Sequence, residues 1–138
     1  MGYAALLPTP MIEAGYYGQV LNKMRQLYGP FIKRGEPTRG ERASEVYENT
    51  AHRWGAAANT LIAEGLVGLK PLEPGWKSFA LQPAEGFTAD FSYTLPLPGG
   101  TLEVVRRDGK LSASWPEETL LVRGKKVRTG SGKLVELG

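Results

Sequence analysis

The chain has no cysteine and a single histidine. The first absence excludes disulfide staples and thiolate chemistry and leaves the redox compartment unmarked. The second excludes a multi-histidine metal site within one chain. No apolar run approaches the roughly 18 residues that a membrane-spanning helix needs, so no membrane is expected as a partner. The opening MGYAALLPTPMIEAG places no basic region ahead of its apolar residues and is expected not to be a secretory signal. Also missing are a GxGxxG turn, a P-loop, zinc-ligand spacings, a nucleophile elbow, internal repeats and low-complexity stretches. No cofactor and no metal are therefore expected, and the expected location is cytoplasmic.

What is present is ordinary for a globular chain. At 138 residues it can bury a real core, as one domain or two small packing units. Its charge is unevenly spread. From Thr101 onward eight Lys and Arg face five Asp and Glu, so the whole formal excess of +3 lies in that last stretch. A basic tail can signal nucleic acid. Here Arg106, Arg107, Lys110, Arg123, Lys125, Lys126 and Arg128 flank turns between strand-like runs and lack interleaved aromatics for base stacking. They are expected to solvate hairpin ends and guard sheet edges, with no nucleic-acid partner.

The first third has helical periodicity. In PTPMIEAGYYGQVLNKMRQLYGP, Thr9 suits an N-cap and Pro10 the first helical position. Ile12, Tyr16, Val20, Met24 and Leu27/Tyr28 form an apolar stripe, and Gly29-Pro30 is expected to end the helix near Tyr28. Gly15 and Gly18 cost helix propensity, which suggests close approach by another element. KRGEPTRGERASE reads as a loop. A second helix is expected over Asn49–Glu64, closing at Gly65. Ala51, Gly55, Ala58 and Ile62 line one face of it, and Trp54, Ala57 and Leu61 an adjacent one. With one other helix available to cover two apolar faces, association through the helices is expected, with a second copy or another chain.

From Trp76 the period falls to two. WKSFALQP, FTADFSYTLPL and TLEVVRR alternate, and Asp108-Gly109 is a hairpin signal. Pro98-Gly99-Gly100, Arg123-Gly124 and Gly130-Ser131-Gly132 mark further turns. The expected class is α+β, two N-terminal helices followed by an antiparallel β-sandwich, with Trp76 and Trp115 in its core. The helical segment is placed at 1–70 and the sandwich at 71–138.

One stretch concentrates polar chemistry. TRGERASEVYENTAHRWGA, Thr38 to Ala56, holds Glu41, Glu45 and Glu48, then His52 and Trp54. By themselves the three carboxylates fit a solvated face ahead of a helix N-terminus, where negative charge suits the helix dipole. His52 alone fits a satisfied polar residue, and Trp54 a core aromatic.

The order of motifs says more. Thr38-Arg39-Gly40-Glu41 is followed by Asn49-Thr50-Ala51-His52-Arg53-Trp54-Gly55-Ala56, then by Gly68-Leu69-Lys70-Pro71-Leu72-Glu73-Pro74-Gly75-Trp76. Over residues 11–137 the chain resembles the C-terminal end of bacterial α-L-rhamnosidases, inverting glycoside hydrolases in which a paired-helix barrel leads into a C-terminal β-sandwich. Two departures stand out. Arg39-Gly40 occupies a place where the family usually has a bulky residue, and the larger part of the barrel, with the general acid, has no counterpart.

The resemblance implies that Glu41 holds the general-base position, that His52 contacts the sugar, and that Trp54 packs or stacks beside it. Inverting hydrolysis needs two carboxyl groups about 6.5–9.5 Å apart on opposite faces of the sugar. Glu45 and Glu48 share a short loop with Glu41 and are expected to share its face, so neither replaces the acid. The expectation is a hydrolase fragment inactive alone, whose partners are a rhamnoside-like carbohydrate and either the missing barrel or a second copy. The alternatives are a stand-alone carbohydrate-binding or protein-interaction module, or a subunit completing a split glycosidase.

Overall fold

A computed structural model describes residues 8–35, 57–123 and 125–137. The chain is α+β and divides into two compact units, Met1–Leu66 and Val67–Gly138.

The first unit opens with two helices where the periodicity predicts one, α1 (Pro8–Glu13) and α2 (Tyr17–Lys33). Gly15 separates them, at φ +81°. The Gly15 N–H donates to the Ile12 carbonyl at 2.9 Å and the Tyr16 N–H to the Met11 carbonyl at 2.8 Å. That pair of bonds is a Schellman cap, which needs a left-handed residue and so favours glycine. The stripe then restarts on α2, with Val20, Met24 and Phe31 buried, while Tyr16 stands exposed between the helices.

Gly29-Pro30 does not stop α2, which runs on to Lys33. Proline in a helix forfeits one backbone bond, but Gly29 has no Cβ to clash with the ring that follows. Burial of Phe31 at the next position favours continuing the turn. The guanidinium of Arg34 lies 5.0 Å over the Phe31 ring.

Of the second helix, the described part is α3 (Ala57–Thr60), continuing as a π-helical stretch, Leu61–Val67. Its start at Asn49 falls outside the described residues. The helix passes the expected stop at Gly65, because π winding sets residues five apart on one face and buries both Leu61 and Leu66. Gly65 is instead the close-approach glycine: a Cβ there would lie 2.9 Å from Ile12 Cδ1 of α1. Among the described residues nothing comes within 4 Å of the Cβ positions of Gly15 and Gly18, where close approach was expected. Ala58 and Leu61, on the two apolar faces read from sequence, are both buried in the single chain.

The second unit is a two-sheet sandwich. One sheet orders β1 (Leu69–Pro71), β2 (Ser78–Leu81), β6 (Leu120–Arg123) and β7 (Lys126–Thr129) side by side. The other orders β3 (Phe91–Leu97), β4 (Gly100–Arg107), β5 (Lys110–Ser114) and β8 (Val135–Glu136). The β3–β4 turn carries Pro98 and then Gly99 at φ +84°, a type II signature. Asp108 and Gly109 both have positive φ, 50° and 76°, as a two-residue type I′ hairpin requires.

All pairs are antiparallel except β2 with β6. Three strands of the other sheet intervene between these two, and so long a connection lets the chain return in the same direction. Phe79, Leu81 and Leu121 from the first sheet and Leu102, Val104 and Ala113 from the second are all buried. Trp115 joins them, its ring 6.0 Å from that of Phe79 at 82°, an edge-to-face pair across the sandwich.

Candidate functional site

Glu41, His52 and Trp54, the residues carried over from the hydrolase resemblance, lie outside the described residues, as do Glu45 and Glu48. The connector that follows them is described, and its motif residues have structural reasons.

Gly68 ends the helix at φ +76°, and a Cβ on it would sit 1.7 Å from the Gln82 carbonyl oxygen. The Gly68 carbonyl accepts from the Gln82 N–H at 2.9 Å, so the two segments touch backbone to backbone. Pro71 falls on the edge strand β1, where a missing N–H costs no ladder bond.

Gly75 and Trp76 then follow one another with positive φ, 71° and 60°. The turn is clamped from both sides. The Trp76 N–H donates to the Glu73 carbonyl at 3.2 Å, and the buried Ser78 hydroxyl donates to the Glu73 carboxylate at 2.8 Å. Trp76 is therefore a half-exposed turn residue, not the buried strand residue that alternation predicts. Its ring lies 6.4 Å from Phe79 and tilted by 51°, lodged at the rim of the core. A left-handed tryptophan costs on the order of 1–3 kcal/mol, which these bonds and contacts must offset.

Within the sandwich, a cleft of about 530 Å³ lies at the carboxyl ends of β2 and β6. Its volume is in the range of small-ligand sites, about 300–1,000 Å³. Arg123, Lys125, Lys126 and Arg128 line it, with Gln82 and aliphatic side chains such as Val122, and no carboxylate appears among its described lining. The β6–β7 register sets Arg123 opposite Lys126 and Leu121 opposite Arg128. Directly opposed residues share a face, so three of the cations gather on one side of the hairpin. No described residue forms an ion pair with Lys125, Lys126 or Arg128. A cluster of cations whose described lining includes no carboxylate is suited to holding an anion.

Sequence reasoning set these cations down as guards of turn ends. The signal it passed over is their spacing: Lys126 and Arg128 are two apart, on one face of a strand. Elsewhere in the sandwich, the buried Trp115 indole N–H and Arg106 Nε lack partners among the described residues, although Arg106 donates through its terminal nitrogen to the Phe87 carbonyl. Half-buried Tyr93 on β3 has its phenol pushed above the ordinary 10.0 by desolvation.

No protein-family model matches the chain, and no curated protein matches it. Among the described residues, no cluster of three or more His, Cys, Asp or Glu could hold a metal, and no helix is long and apolar enough to cross a membrane.

Proposed function

We propose that the chain is the C-terminal portion of an α-L-rhamnosidase-like inverting glycoside hydrolase. It keeps the base position at Glu41 and the sugar contacts at His52 and Trp54, and is inactive without the barrel that supplies the acid. One observation carries the reading: the motifs occur in the family's order, and a helix leads through the Gly68–Trp76 connector into a two-sheet sandwich. Gly68 and Gly75 support the connector motif physically: a side chain at Gly68 would strike the Gln82 carbonyl, and Gly75 takes a left-handed backbone that favours glycine. In this reading the chain works in the cytoplasm, and its partner is the missing barrel or a second copy.

The test is selective sugar binding. Titrating L-rhamnose against D-glucose, followed by tryptophan fluorescence, is expected to give a saturable response to rhamnose alone that His52→Ala abolishes. Equal responses to both sugars, or a response indifferent to His52, would contradict it.

A second reading, a stand-alone carbohydrate-binding module, is favoured by Trp76, whose clamped turn leaves its ring partly at the surface. Loss of rhamnose binding in Trp76→Ala with His52→Ala unaffected would select that reading.

A further inference from the structure

The four sheet edges are not protected alike. β1 carries Pro71 and β3 carries Pro96, residues that block strand addition by lacking a donor. β8 is two residues long. The remaining edge, β7, has neither device. It contains no proline, all four of its residues are exposed, and no described strand pairs with its outer side. Charge alone guards it. Lys126 and Arg128 stand on one face, beside Arg123 and the cleft, and Val127 stands on the other face, 60% exposed.

A guard made of charge discriminates by sign. A second copy adding along β7 would bring cations against cations, which disfavours self-pairing. A strand with carboxylates at every second residue would meet Lys126 and Arg128 at matching pitch, since both strands rise about 3.3–3.4 Å per residue. Its intervening side chains would fall beside Val127, where an apolar residue is favoured.

We propose that the outer edge of β7 is a docking site for an extended acidic peptide that adds as a strand, with acidic and apolar residues alternating. The added strand gains main-chain bonds from the edge and sign selectivity from Arg123, Lys126 and Arg128, the division of labour expected for strand addition. The proposal is independent of the hydrolase reading, because it uses none of the residues that reading invokes.

The test uses a fluorescein-labelled Glu-Val-Glu-Val-Glu peptide and the intact chain, read by fluorescence anisotropy at low salt. Saturable binding that weakens with added salt is expected, accompanied by slowed amide exchange confined to β7. The double substitution Lys126→Glu, Arg128→Glu is expected to weaken binding about tenfold or more, with an unchanged circular dichroism spectrum because both side chains are exposed. The same peptide N-methylated at alternate residues is expected not to bind. Equal binding of the N-methylated peptide, or indifference to the double substitution, would overturn the proposal. Displacement of the peptide by an equally tight carboxylated polysaccharide would also overturn it, making the face a general polyanion surface.

Discussion

Glycine serves conformation at some positions and close approach at others, and the balance differs between the two units. In the helical unit Gly15, Gly18, Gly29 and Gly35 have nothing described within 4 Å of where a Cβ would stand. In the sandwich unit Gly68 and Gly130 face backbone: Gln82 oxygen at 1.7 Å for one, Pro116 and Trp115 oxygens at 2.1 and 2.4 Å for the other. Gly15 matters through its left-handed backbone, whereas Gly65 of the same unit matters through space, 2.9 Å from Ile12 Cδ1. Gly68 and Gly130 matter through space, whereas Gly99 and Gly109 serve their turns through positive φ. A glycine in a sequence does not announce which: among the described residues close approach falls to Gly65, Gly68 and Gly130, and none is found at Gly15 or Gly18.

Substitution series sharpen the contrast, measured as urea-denaturation midpoints of the affected unit. Gly68→Ala combines a left-handed backbone with a blocked Cβ and is expected to cost about 2–5 kcal/mol. Gly130→Ala tests space alone, because its φ is not left-handed, and is expected to cost about 1–3 kcal/mol. Gly15→Ala tests conformation alone, at about 1–2 kcal/mol. Gly18→Ala, in the open first turns of α2, is expected to stabilise by about 0.5–1 kcal/mol through helix propensity. A Gly18→Ala penalty as large as that of Gly130→Ala would erase the distinction.

A smaller effect separates the units by pH. The raised phenol of Tyr93 means that folding favours its neutral form. Its contribution is fully present below the ordinary value of 10.0 and is lost as pH rises through the higher folded value. Alkaline titration of stability is therefore expected to weaken the wild type more than Tyr93→Phe at pH above 10. Parallel curves would contradict the burial of that hydroxyl.

The sandwich was the more legible half. Asp108-Gly109 and Pro98-Gly99 encode turn type in two adjacent residues, and alternation through Leu102, Val104 and Ala113 follows from local spacing. What sequence left hidden depends on distant neighbours. The parallel β2–β6 pair joins strands about 40 residues apart in the chain, a separation that no local period records. Trp76 satisfies alternation yet turns outward, because the Glu73–Ser78 clamp dictates its backbone. In the helical half the stripe predicted burial of Val20 and Met24, but Gly15 reads equally as a tolerated helix residue or a cap. Of the candidate sites, Glu41, His52 and Trp54 were legible only through motif order and lie outside the described residues. The spacing of Lys126 and Arg128 could have shown that they share a face, but that Arg123 joins them needs the β6–β7 register.

The central functional claim is that the chain holds a hydrolase's base position without its acid, and the hydrolysis rate of an aryl α-L-rhamnoside by the purified chain tests it most directly. A general acid is typically worth about 10²–10⁴-fold, so a rate no faster than buffer is expected. Turnover well above background that disappears in Glu41→Gln would contradict it.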